Sequence, residues 1–576
     1  MSLLNINVIF MKNYTISFIL LIALFISAIN VYSQFPDELI ARKEIFVEFN
    51  LNSATDTKAQ LEKLNKVISI SDFDIEDLRV EAYVSINKYD EFNELGYNYK
   101  LLTPPSMLLS RADLDKDESK GVNEWDYYPN WQQYNDMMQQ FADGYPTICE
   151  LISIGQSAEG RDILFLHIGD SIDTETNEPE FMYTSSIHGD ELTGYVLTLR
   201  LADYLLSNYG SDERVTNLVD NVDIWINPMA NPDGTFAGGN NSVYGATRFN
   251  SNGVDMNRNY PDPEDGPHPD GNAYQQATTL FMNFASERDF VMSANFHGGA
   301  EVINYPWDTW SKLSADDDWW YFVSREYADT VHQYAPAYYM RDLDNGVTNG
   351  YQWYSISGGR QDYMNYYQHC REVTAEISST KLPSASQLPD FWNWNYRSLL
   401  NYMEQVLYGV RGLVTNASNG NTIKAKVFAN SHDFDESYVY STASNGNYQR
   451  LLKSGLYSLT FSALGYYDKT VPMVAAIDYG TTILNVQLEP ITSIVDAKKV
   501  FARVYPNPAS QYVKLDFAHD GEHTVQLIDI QGKVISEFLT SETQLQIPLD
   551  NVSPGKYLIS IKAFSGDSFV VNLVVN

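Results

Sequence analysis

The chain has 576 residues, with 38 Lys and Arg against 74 Asp and Glu, a formal net charge of −36. Such an acid excess excludes nucleic-acid binding, which rests on basic contacts to phosphates. A hydrophobic content of 44% excludes bulk disorder, and the length calls for several domains. Two cysteines exclude a disulfide framework and a Cys-rich zinc site, and leave open whether Cys149 and Cys370 pair.

Residues 1–33 read as a signal peptide. Lys12 precedes the apolar run Ile16–Ile29, too short for a membrane span, and Val31 and Ser33 are small residues before a cleavage point at Gln34. Met11 is a second candidate start. No other apolar run approaches the roughly 18 residues of a transmembrane helix, so a membrane span is not expected in the mature chain.

Residues 34–110 read as a small α+β unit. Ile45–Phe49 alternates as a strand, Thr57–Asn65 has helical spacing, and Arg79–Ile86 alternates again. Asn87 is the expected cap of a helix ending at Gly96, and Tyr99–Leu102 closes the unit as a strand. Residues 111–124, with the charged run Asp113–Lys120, read as a solvated linker open to proteolysis.

From 125 to 407 apolar strands alternate with amphipathic helices, an α/β pattern. Phe181–Ile187 is a buried-strand run. Leu192, Val196, Leu199, Ala202 and Leu206 then follow at helical spacing. Asp223–Ile226 and Val291–Phe296 are further strands. Three segments carry metal-type ligands just after apolar strands. His188 and Glu191 stand three apart at a strand-to-helix turn. His297 ends a strand and is followed by Gly298 and Gly299. Arg371–Ile377 alternates, with Glu376 at the carboxyl end where open α/β sheets bind ligands. His188, Glu191 and His297 make a His₂Glu set, the count of a catalytic zinc that keeps a position open for water. Between these segments lie the turn Asn227–Gly234 and a loop with Arg248, Asp255, Asn257 and Arg258, whose arginines suit bidentate capture of a carboxylate.

Residues 408–492 return to β structure with turn glycines Gly412, Gly420, Gly446, Gly455 and Gly465. Residues 500–576 form a second β text, opened by Tyr505-Pro506-Asn507-Pro508 and punctuated by Gly532 and Pro554-Gly555.

Taken in order, His188-Gly189-Asp190-Glu191, Asn231-Pro232-Asp233-Gly234, Gly253 to Pro261, His297 to Asp308, Gly358 to Asp362 and Thr374 to Ser378 resemble the motifs of the M14 zinc metallocarboxypeptidases. The resemblance covers about residues 125–405 and is closest in pattern to the regulatory subgroup, carboxypeptidases D, E, M and N. It implies a mixed-sheet α/β zinc carboxypeptidase domain, preceded by a pro-domain-like α+β unit and followed by two small β-sandwiches. The first of these resembles the transthyretin-like domain of that subgroup. The second resembles the C-terminal sorting domain of the Bacteroidetes type IX secretion system, which implies export by that machinery and a secreted or cell-surface protein.

Carried over residue by residue, the resemblance implies one zinc per chain on His188, Glu191 and His297. Asp255 would orient His188, Glu376 would be the general base and Arg248 would polarise the scissile carbonyl. Asn257, Arg258 and Tyr354 would hold the terminal carboxylate of a peptide or protein. Asp308 and Gln361 match the pocket that attracts a C-terminal Lys or Arg. Two alternatives stand beside this reading: a zinc amidase acting on peptidoglycan stems or other amides, and an inert surface binding protein. The second of these would lack Glu376 or an intact ligand set.

Overall fold

The computed structural model describes residues 36–116, 125–172, 177–491, 502–517, 521–529, 533–550, 552–563 and 568–576, so the expected signal peptide lies outside the described residues. The chain divides into two compact units, Met1–Gln405 and Val406–Asn576.

The first unit opens with a four-stranded antiparallel sheet. Its strands are β1 (Glu44–Asn50), β2 (Ser69–Asp74), β3 (Arg79–Ser85) and β4 (Lys100–Leu102), in the order β2-β3-β1-β4. Helix α1 (Thr57–Asn65) connects β1 to β2, and helix α2 (Tyr89–Glu94) connects β3 to β4. This is the split βαβ arrangement of ferredoxin-like folds. Leu64, Phe92, Val47 and Val84 are buried in its core. Strand β2 is absent from the sequence reading because four of the six residues of Ser-Ile-Ser-Asp-Phe-Asp are polar and the strand lies at a sheet edge. Asn87 does not cap α2. The N-cap is Lys88, and the Asn87 amide instead donates to the Asn252 and Gly253 carbonyls at 2.8 and 3.2 Å. Gly96, at φ +74, ends that helical segment as its sequence predicts.

The expected linker begins later than residue 111. Arg111–Asp113 form a 3₁₀ turn capped by Ser110, and Leu114 is fully buried. Its remainder, 117–124, lies outside the described residues.

An eight-stranded mixed sheet follows, in the order β11-β10-β12-β9-β7-β8-β6-β5. Its strands are β5 (Cys149–Gln156), β6 (Asp162–Ile168), β7 (Glu180–Ser185), β8 (Asp223–Asn227), β9 (Phe290–His297), β10 (Ala300–Tyr305), β11 (Val347–Asn349) and β12 (Arg371–Ser378). The middle four, β12-β9-β7-β8, run parallel, which aligns their carboxyl ends. They are buried along nearly their whole length, as parallel strands covered by helices must be. Covering helices include α3 (Thr193–Asn208), α4 (Asp317–Tyr334) and α5 (Leu388–Glu404). Cys149 and Cys370 are both buried free thiols and do not pair.

The second unit contains two β regions. In the first, β13 (Gly409–Asn416) and β14 (Gly455–Ser462) belong to two sheets around a core that includes Val410, Leu459 and Phe461. In the second, β15 (Tyr512–Phe517) and β16 (Gly555–Ala563) do the same around Val513, Leu527 and Ile559. Among the described residues, no helix is long and apolar enough to cross a membrane.

Candidate active site

The carboxyl ends of β7, β9 and β12 converge on one buried polar cleft. His188 and Glu191 lie in the turn after β7, His297 is the last residue of β9, and Glu376 pairs in register with His297 across β12 and β9. The turn is tight: a Cβ at Gly189 would stand 2.3 Å from the Gly234 carbonyl carbon, so only glycine passes there.

His188 Nδ1 and His297 Nδ1 stand 3.0 Å apart, and lie 2.9 and 2.8 Å from the same Glu191 Oε2. His188 Nε2 is 3.1 Å from Asp255 Oδ1. A proton on that nitrogen leaves Nδ1 with a bare lone pair. Burial pushes the His297 imidazole down to about 4, so it is neutral at pH 7. The His188 lone pair, a ring nitrogen of the neutral His297 and a carboxylate oxygen thus face one point. Their chemistry fits a divalent cation with three protein ligands and an open position.

The carboxylates around this point are pinned. Burial opposes ionisation of Glu191, but His188 and Lys381 outweigh it and hold its carboxyl well below the usual range. Glu191 Oε1 accepts from Arg248 Nη1 at 3.1 Å and from Lys381 Nζ at 2.5 Å. Burial also opposes ionisation of Asp255, and Arg248 and His188 overcome it. Asp255 accepts from the Asn257 N–H at 3.0 Å, from Arg248 Nε at 3.1 Å and from the Ser69 hydroxyl at 2.6 Å.

Glu376 differs from both. Its Oε2 is buried without a hydrogen-bond partner among the described residues. Burial, reinforced by Glu191, pushes its carboxyl up to about 8. An unpartnered carboxylate beside a cation site is placed to exchange a proton.

Arg258, Asn257 and Tyr354 line the same cleft. Arg258 Nη1 donates to the Asn257 carbonyl at 2.8 Å, and its Nε is buried without a partner among the described residues. Asn257 Oδ1 accepts the Arg360 N–H at 2.9 Å, which fixes that side chain. At the other end, Asp308 Oδ1 accepts from Asn304 Nδ2 at 2.9 Å and from Gln361 Nε2 at 3.2 Å. The Asp308 and Thr309 N–H groups both donate to the Asp362 carboxylate, which holds the turn that presents Asp308. Burial pushes the Asp308 carboxyl up to about 6. A Cβ at Gly350 would fall 1.7 Å from Asp308 Oδ1, so this close approach also requires glycine.

All eleven residues singled out in the sequence therefore lie around this cleft or touch its lining. The sequence reading missed Lys381, Asn304, Asp362 and the buried pair Arg360–Glu372, whose Nη2 and Oε2 are 2.9 Å apart. Glu372 is fully buried, whereas a carboxylate on a strand is ordinarily solvated. It also missed the N-terminal sheet: Ile70 and Ser71 of β2 line the cleft, and Tyr83 of β3 donates to Asp190.

The zinc carboxypeptidase family model matches residues 134–398. A carboxypeptidase regulatory-like domain matches 409–489, and a secretion system C-terminal sorting domain matches 503–576. Carboxypeptidase D of Homo sapiens is 38% identical over 373 residues, 60% of this chain and 26% of that protein. The chain thus spans about a quarter of that relative's length. Carboxypeptidase M of Mus musculus is 35% identical over 344 residues, 57% of this chain and 76% of that protein. The solved carboxypeptidase A of Helicoverpa armigera is similar with a TM-score of 0.49 at 19% identity, over 63% of this chain and 97% of that one. By the family match, and by a relative it covers over three-quarters of its length, the chain belongs to the zinc carboxypeptidase family.

Proposed function

We propose that this protein is a secreted zinc metallocarboxypeptidase that hydrolyses the last peptide bond of peptides or proteins ending in Lys or Arg. The observation that carries the reading is the convergence of His188, Glu191 and His297 beside an unpartnered Glu376 and an arginine-lined pocket. A zinc ion held by His188, Glu191 and His297 would supply Lewis acidity and lower the pKa of a water toward about 7.

The chain's own residues do the rest. Glu376 takes the proton of the attacking water and returns it to the leaving amine, a task open to a carboxylate whose Oε2 is tied to none of the described residues. Arg248, tied to Glu191 and Asp255, meets the developing oxyanion with a preorganised charge. Asp255 fixes the tautomer and ring plane of His188. Arg258, Asn257 and Tyr354 capture the substrate's α-carboxylate. An internal peptide bond presents no such anion and would leave the arginine unpaired, which makes the enzyme an exopeptidase. Asp308 and Gln361 attract the basic side chain of the last residue.

In this reading the N-terminal unit is a lid. The Ser69 hydroxyl reaches Asp255, and the edge strand β2 lies along the cleft where substrate backbone must lie. Export uses the C-terminal sorting domain, with the type IX secretion machinery as partner.

The test is release of the C-terminal residue from peptides ending in Lys, Arg, Phe, Leu or an amide, with and without chelator. Chelator-sensitive release of Lys or Arg from free acids alone supports the reading. Equal hydrolysis of amides overturns the carboxylate clamp, and silence on every peptide overturns the activity.

A further inference from the structure

The specificity pocket has an uneven distribution of acceptors. Asp308 Oδ1 already accepts from both Asn304 and Gln361. Gln361 Oε1 already accepts the Thr374 N–H at 2.7 Å. Among the described residues nothing hydrogen-bonds Asp308 Oδ2. Asn304 Oδ1 is buried without a partner, on a residue only 6% exposed. Thr374, on the same face of β12 as Glu376, lines the cleft with its hydroxyl bonded to none of the described residues. The pocket therefore offers three open oxygens from three residues.

A guanidinium recognises a carboxylate best through two parallel bonds to its two oxygens. Here one oxygen of Asp308 is doubly occupied, so that fork cannot form without displacing both amides. A guanidinium also spreads its five N–H donors over a rigid plane, and without the fork its second edge meets no carboxylate oxygen. An ammonium brings three N–H donors on one compact centre.

Resting on the reading of this cleft as a site for a C-terminal basic residue, we propose that the pocket selects lysine over arginine. Asn304 Oδ1 and Thr374 Oγ1 complete, beside Asp308 Oδ2, a cradle for one ammonium group. Asn304 and Thr374 are then specificity-determining residues.

The experiment uses the full-length, zinc-loaded chain, nicked within 117–124. Peptides identical except for a final Lys, Arg or Leu report kcat/KM. Free L-lysine and L-arginine, as product inhibitors, report binding alone. The proposal expects Lys over Arg by about tenfold or more, and the same order of inhibition, since a lost charge-assisted bond carries a penalty of that size. Asn304→Ala and Thr374→Val should each lower Lys turnover by about tenfold and Arg turnover by less than about threefold. The Lys-to-Arg ratio does not depend on what fraction of a variant is folded. Arg turned over as fast as Lys by the unaltered protein overturns the proposal and leaves the basic pocket standing. Leu turned over as fast as both overturns the basic pocket and the lysine preference with it.

Discussion

Replacing Arg258 by Met should convert discrimination for a free C-terminus into near indifference. Arg258 is 9% exposed, and one of its nitrogens, Nη1, is spent on the Asn257 carbonyl. Its Nε is buried without a partner among the described residues, so Nε and Nη2 remain for the substrate's carboxylate. Two charge-assisted hydrogen bonds at about 1.5–3 kcal/mol each amount to about 3–6 kcal/mol. At about 1.36 kcal/mol per decade, that is about 10²–10⁴ in kcat/KM for a free-acid peptide. Amidated peptides, which never formed those bonds, should change little. Arg258→Lys keeps the charge but lacks the planar fork that meets both carboxylate oxygens, so its loss should be about 10–10². The assay compares kcat/KM on paired free-acid and amide peptides for the three proteins, with bound metal quantified in each. An Arg258→Met enzyme whose acid-to-amide ratio stays within about threefold of the unaltered protein would refute the clamp.

Three further outcomes follow from the same geometry. Asp308→Ala should cost about one to three decades of preference for a basic C-terminal residue while metal content stays normal, measured as the ratio of basic to leucine ends. That preference should also depend on pH. The Asp308 carboxyl is raised to about 6, so it is charged above that pH and attracts a cation, and the preference should fade as pH drops through about 6. Activity at leucine ends serves as the internal control; a preference constant from pH 5 to 8 contradicts the assignment. Cutting the chain within 117–124 should raise activity. A tethered lid works at an effective concentration on the order of millimolar, so even a micromolar intrinsic contact would keep all but about one molecule in a thousand closed. An intact chain as fast as the cut one sinks the lid.

What the sequence made legible was whatever repeats or sits at a strand end. β7, β9 and β12 read as apolar runs because parallel strands are buried on both faces, and their terminal ligands stood out against that background. Edge strand β2, half exposed, offered no such contrast, and with it went Ser69 and Ile70. Lys381 lies in a turn three residues past β12 with no period to mark it, yet its Nζ reaches Glu191. Asn87 has the chemistry of a cap, but the carbonyls of Asn252 and Gly253 were better placed to receive its amide. Arg360 and Glu372 lie twelve residues apart in separate elements, and a buried ion pair of that kind leaves no local pattern. Local spacing encodes strands and turns, whereas the partners that tune the site come from distant segments.

The most direct measurement counts bound zinc per chain and turnover of a peptide with a basic end, for the unaltered protein and for Glu376→Gln. Glutamine keeps the shape of the side chain and cannot take a proton, and Glu376 is not among the three metal ligands. The account predicts one zinc in both proteins, turnover in the first, and a loss of about 10³ or more in the second. A Glu376→Gln protein that binds zinc and still hydrolyses the peptide at the original rate would contradict it.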